Sequence, residues 1–120
     1  MAEPNPEELF NLGMLSYDKQ DFSKARKYFE RACGLNNGRG CNGLGVLYRD
    51  GQGVEKNSIK AAYLYSKACE LKEGDGCGAL GGLYYNGDGV KQDSKKAVAL
   101  FKKACKLGYK KACEMLKLLR

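Results

Sequence analysis

With 120 residues, 43% of them hydrophobic, only two prolines and no tryptophan, the chain is sized for one domain and too apolar to remain disordered. Histidine is absent, which excludes Cys-His and Ser-His-Asp nucleophiles and imidazole metal ligands. The net charge of +7 is unevenly placed, with 11 basic and 12 acidic side chains in residues 1–90 against 10 and 2 in residues 91–120.

That lysine-rich end carries no interleaved aromatic platform and no nucleic-acid motif, so it reads as a solvated face complementing the negative ends of helices, not as a nucleic-acid surface. No apolar run approaches the roughly 20 residues that cross a bilayer, so no membrane insertion is expected. The start, MAEPNPEEL, is too polar for a signal peptide. Six cysteines nevertheless imply an oxidising compartment. The expectation is a secreted or periplasmic protein whose leader is absent from this chain, with Met1 preceding a mature Ala2-Glu3-Pro4.

Along the chain, Leu9, Leu12 and Leu15 recur at helical spacing and predict a helix over about 6–17. After a short Asp18-Lys19-Gln20 connection, Asp21 is a good N-cap, and the next helix places Ala25, Phe29 and Ala32 on one face before Cys33. A second pair follows. One helix, at about 38–49, contains Leu44, Gly45 and Leu47; its partner opens at Asn57 and carries Ala61, Tyr65 and Ala68 before Cys69. The third pair repeats this at 74–85 and from Asp93, with Ala97, Phe101 and Ala104 before Cys105. Small residues at these positions let helix backbones approach while the aromatic fills the adjoining gap. The Gly51-Gln52-Gly53-Val54 and Gly87-Asp88-Gly89-Val90 connections supply glycines for positive φ, with the valines expected to tuck back beneath the loop. A last amphipathic stretch, Lys110–Leu119, carries Met115, Leu116 and Leu119 and reads as a helix that caps the final apolar face.

The pattern is periodic. Cys33, Cys69 and Cys105 form one column and Cys41, Cys77 and Cys113 another, each repeating every 36 residues, and residues 41–76 match 77–112 at 16 of 36 positions. A period of this size marks a solenoid, each unit burying its apolar face against its neighbours. The expected fold is an all-α, α/α superhelical solenoid of antiparallel helix pairs. It forms a single repeat domain over 1–120, with units at about 5–36, 37–72 and 73–108 and a cap at about 109–119. Six thiols in one phase read as three equivalent staples; C-x-x-C is absent, and zinc requires four convergent ligands.

The string L-G-x-L-Y-x-x-G-x-G-V-x-x-[ND]-x-x-K-A followed by K-A-C, over about residues 7–119, resembles Sel1-like repeats, relatives of the tetratricopeptide repeat. With a C-x7-C pair per unit it is similar to the Helicobacter cysteine-rich proteins. The first unit departs from the pattern, lacking the Gly-x-Gly-Val loop and having plain tetratricopeptide length. The resemblance implies a superhelix with a concave surface lined by the first helix of each pair, and disulfides Cys33–Cys41, Cys69–Cys77 and Cys105–Cys113. Of 15 possible connectivities, those joining one column are disfavoured, because such residues lie about 10 Å apart and bridged Cα atoms lie within about 7 Å.

Members of this family carry β-lactamase or penicillin-binding names, and Ser16-Tyr17-Asp18-Lys19 is an S-x-x-K string. The companion S-D-N and K-T-G elements of serine β-lactamases do not occur, and Ser16 aligns with the packing positions Tyr48 and Tyr84. No catalytic residue, metal or cofactor is assigned. By tetratricopeptide register, ligand-facing positions are Phe10, Met14 and Tyr17 in unit one, Asn42, Val46, Arg49 and Asp50 in unit two, and Tyr85 and Asn86 in unit three. Asn bonds a peptide backbone from both ends of its amide, Arg forks onto carboxylates and Tyr offers stiff amphipathic area. Gly78 and Gly82 are expected to leave a hollow beside them; the competing reading is a merely solvated inner face, or partial burial of Phe10 and Met14 against the neighbouring unit. The expected function is a non-catalytic, monomeric binding module for a peptide, a protein segment or a peptidoglycan fragment. The alternatives are weak penicillin-binding or β-lactamase activity, and an engineered or consensus scaffold with no native ligand.

Overall fold

The computed structural model describes residues 4–119. Met1, Ala2 and Glu3, where the sequence reading places the leader junction, lie outside the described residues. Seven helices follow one another, and among the described residues there is no strand: α1 (Pro6–Asp18), α2 (Phe22–Gly34), α3 (Gly38–Asp50), α4 (Ser58–Glu70), α5 (Gly74–Asn86), α6 (Ser94–Lys106) and α7 (Lys110–Leu118).

Their starts are fixed by side chains. Asn5, Asp21, Asn37, Asn57 and Asp93 each accept a hydrogen bond from a main-chain N–H three residues on, which satisfies one of the open donors of the first turn. The ends of α3 and α5 are set by Gly51 and Gly87 in the left-handed region. Two residues on, Gly53 repeats that conformation at φ 71°, and a Cβ there would meet the Phe22 carbonyl carbon at 2.6 Å. The loop therefore needs glycine for both its conformation and its contact. Val54 and Val90 are half-buried beneath these loops, as the sequence suggests.

Helices pack as consecutive antiparallel pairs in an elongated body of 52 × 28 × 22 Å. Each pair is joined where an aromatic of the second helix lies on a glycine of the first. A Cβ on Gly13, Gly45 or Gly81 would stand 2.5, 2.7 or 2.8 Å from the ring of Phe29, Tyr65 or Phe101. The first helices of successive pairs also touch, α1 with α3 and α3 with α5. The second helices lie farther apart, so the row α1, α3, α5 forms the inner, concave side.

The three disulfides are Cys33–Cys41, Cys69–Cys77 and Cys105–Cys113, with Cα separations of 4.5, 4.6 and 4.9 Å. Each ties the last turn of a second helix to the first turn of the next first helix. The first two are buried and the third is half-exposed. No described helix is long and apolar enough to cross a membrane.

Candidate functional site

A cavity of about 320 Å³ opens on the inner side between units one and two. Helix α1 supplies Phe10, Met14 and Tyr17, spaced so that all three face α3. Helix α3 supplies Arg39, Asn42, Gly43 and Val46, and Phe29 closes the floor from α2. Glu73 and Asp75, at the start of α5, form the far end.

The floor is rigid. Phe10 is 9% exposed and lies 5.9 Å from the Phe29 ring, tilted by 31°. The Arg39 guanidinium lies over the Phe10 ring, 4.3 Å from its centroid, and donates to Glu7 Oε1 at 2.7 Å. Phe10 is thus a core residue as well as a cavity wall, and Met14, 37% exposed, is the more accessible of the two. Tyr17 stacks edge-on against Phe22 at 5.3 Å, and its hydroxyl donates to Gln52 Oε1 at 3.3 Å.

The far end is acidic. Glu73 stands at the register position of Asn37; where Asn37 caps the Gly40 N–H at 2.8 Å, the Glu73 carboxylate reaches only a weaker interaction with the Asp75 main-chain N–H. Partial burial raises the Glu73 carboxyl above its ordinary range, as does the charge of Asp75, while Arg39 pulls the other way. Among the described residues neither Glu73 nor Asp75 has an ion-pair partner.

Of the residues read from sequence as ligand-facing, the structure gathers Phe10, Met14, Tyr17, Asn42 and Val46 around this cavity. Arg49, Asp50, Tyr85 and Asn86 do not line it. The Arg49 guanidinium is forked onto its neighbour Asp50, with N–O distances of 2.9 and 3.1 Å, so the carboxylate it holds is its own chain's. That hydrogen bond raises the Arg49 pKa and lowers that of Asp50. Tyr85 is 38% exposed and its carbonyl accepts from Gln92. The expected hollow is half present: Gly82 has open space beside it, but the Tyr109 ring fills the place of a side chain at Gly78, 2.5 Å from a Cβ there.

Sequence reasoning missed Phe29, Arg39, Gly43, Glu73 and Asp75. Arg39, Glu73 and Asp75 sit in or beside the C-x7-C segments, which read as covalent staples alone. The signal available was the register series 39, 75, 111, occupied by Arg, Asp and Lys, which changes sign where a purely structural position has no reason to.

Ser16 is 6% exposed and its hydroxyl donates to the Leu12 carbonyl oxygen of its own helix at 3.0 Å. This is the back-bonding of a helical serine, not the posture of a nucleophile held by a lysine. No group of three or more His, Cys, Asp or Glu side chains converges among the described residues in a way that would hold a metal ion.

Comparison with known proteins agrees with the architecture. The Sel1 repeat model matches residues 38–73 and 74–109, and the tetratricopeptide repeat model matches 6–39. HcpC of Helicobacter pylori is 60% identical over 57 residues, 48% of this chain and 20% of HcpC. A beta-lactamase, HcpA of the same species, is 51% identical over 61 residues, 51% of this chain and 24% of its own. The chain therefore spans no more than a quarter of either relative. The solved Helicobacter pylori cysteine-rich protein B superposes with a TM-score of 0.74 at 47% identity, covering 82% of this chain and 71% of that one. Two matched 36-residue repeats and a cysteine-rich relative covered over most of its length place this chain in the Sel1 repeat family, alongside the Helicobacter cysteine-rich proteins.

Proposed function

We propose that the chain is a non-catalytic, extracytoplasmic binding module that holds a peptide or protein segment along the concave row α1, α3, α5. The observation that carries this reading is the cavity itself. Its apolar walls come from two repeats, and the Asn42 amide at its side suits a peptide backbone. Its floor is held by aromatic packing and the adjacent Cys33–Cys41 staple, so little conformational freedom is lost on binding. The module acts as a monomer in an oxidising compartment, where its disulfides persist.

The test is selection from a random-peptide display library on the oxidised protein, with counter-selection on a Met14→Lys/Val46→Lys variant. A shared motif lost by the variant supports the module. Enrichment of peptides that bind both proteins equally would place binding elsewhere. No enrichment, together with binding of soluble peptidoglycan fragments, would replace the peptide with a saccharide.

The name carried by HcpA motivates a second reading, hydrolysis of β-lactams. The buried, main-chain-bonded Ser16 argues against the S-x-x-K string as its nucleophile. Turnover of a chromogenic lactam that disappears in Ser16→Ala, with the fold retained, would reverse that judgement.

A further inference from the structure

The cavity is acidic in an otherwise basic protein. Arg39 is the cation lining it, and that cation is already neutralised by Glu7 at 2.7 Å while its plane is stacked on Phe10. Glu73 and Asp75 stand at the opposite end without ion-pair partners among the described residues. Glu73 is half-buried, with its Cβ against Gly38 of α3.

Resting on the peptide-binding reading above, we propose that the occupant is a protein segment that inserts an apolar side chain against Met14, Val46 and Phe29 and places an adjacent lysine or arginine on Glu73 and Asp75. The apolar side chain matches the wall, and the basic one matches two carboxylates that have no ion-pair partner among the described residues. At about 320 Å³ the space lies at the small end of ligand cavities, about 300–1,000 Å³, enough for one large side chain and its neighbour. A cation brought to Glu73 also offsets the partial burial, and the neighbouring Asp75 charge, that hold its carboxyl above the ordinary range. Because the two carboxylates lie at the rim, their attraction steers and selects more than it anchors, and salt screens it.

The experiment takes the strongest peptide from the display selection, resynthesised with its N-terminus acetylated, and titrates it calorimetrically into wild type and a Glu73→Gln/Asp75→Asn variant. A second selection is run on Glu73→Lys. The expected results are a motif pairing an apolar residue with Lys or Arg, a loss of about tenfold or more in affinity for the neutralised variant, and a switch to acidic residues on Glu73→Lys. Asp75→Asn alone, at an exposed position, keeps the test valid should changes at Glu73 disturb the fold. A motif with no basic residue, or an affinity unchanged by neutralisation, overturns this inference and leaves groove binding standing. Loss of affinity on acetylation alone assigns the cation to a chain terminus and likewise overturns it. Failure of the wild-type selection to enrich any peptide removes both readings.

Discussion

Tyr65 is the aromatic of the second repeat, and its register partners Phe29 and Phe101 have no hydroxyl. Its side chain is fully buried and the hydroxyl has no hydrogen-bond partner, so burial pushes the phenol up to about 12, with Arg49 opposing. A buried donor left unmade costs about 1–3 kcal/mol. Tyr65→Phe therefore stabilises the protein by about 1 kcal/mol, read as a higher midpoint in urea at unchanged slope. Lys72 makes a similar case in the backbone. It holds φ 66° in the turn where the third repeat has Gly108 at 95° and the first has Asn36 at 64°. Lys72→Gly is expected to gain about 0.5–1 kcal/mol, because relief of the left-handed strain exceeds the extra freedom of the unfolded chain. At Glu73 the folded carboxyl lies above its unfolded value, so folding binds its proton more tightly and stability falls as pH rises through the raised pKa. Glu73→Gln is accordingly more stable than wild type at pH 7, and the difference closes as the pH drops toward 4.5, the ordinary glutamate value. Thermal melts across that range check the sign.

Each helix pair depends on one glycine under one ring. A Cβ on Gly45 would lie 2.7 Å from the Tyr65 ring, a buried group with no room to retreat, and Gly45→Ala is expected to destabilise by about 1–3 kcal/mol despite the better helix propensity of alanine. The staples act between pairs. Each nine-residue ring contributes about 2.5 kcal/mol on the chain-entropy account. Burial ranks their lability: Cys105 and Cys113 are half-exposed, while Cys33, Cys41, Cys69 and Cys77 are at most 4% exposed. Under graded reductant, thiol alkylation and peptide mapping should find Cys105–Cys113 opened first. At this scale the sequence was highly legible. Leucine spacing, Asx caps and repeating Gly-x-Gly-Val loops put the predicted starts of α1, α3 and α5 where the structure has them, because those signals are local and recur in phase.

The concave groove was less legible, because its composition is decided by which neighbours meet across repeats. Phe10, Met14, Tyr17, Asn42 and Val46, chosen by register, line one cavity, since register fixes the face of a helix. It gave no view of Arg49 turning onto its own neighbour, nor of Tyr109 covering Gly78. These are rotamer choices and contacts between units, which a repeat alignment averages away. The consequence for the whole molecule is an inner surface that changes along its length. The cavity at units one and two is walled and acid-ended, whereas beside Gly82 the surface lies open. Binding should therefore centre on the first two units, although much of the chain's positive charge lies in the last 30 residues.

The most direct measurement is a two-dimensional amide NMR titration of the oxidised protein with its strongest selected peptide. Shifts are expected to concentrate at Phe10, Met14, Asn42, Gly43, Val46 and Glu73, with the outward-facing Ile59 and Tyr63 of α4 unmoved. Shifts clustered on α4 or on the lysine-rich face of α6, with the cavity residues silent, would contradict binding in this cavity.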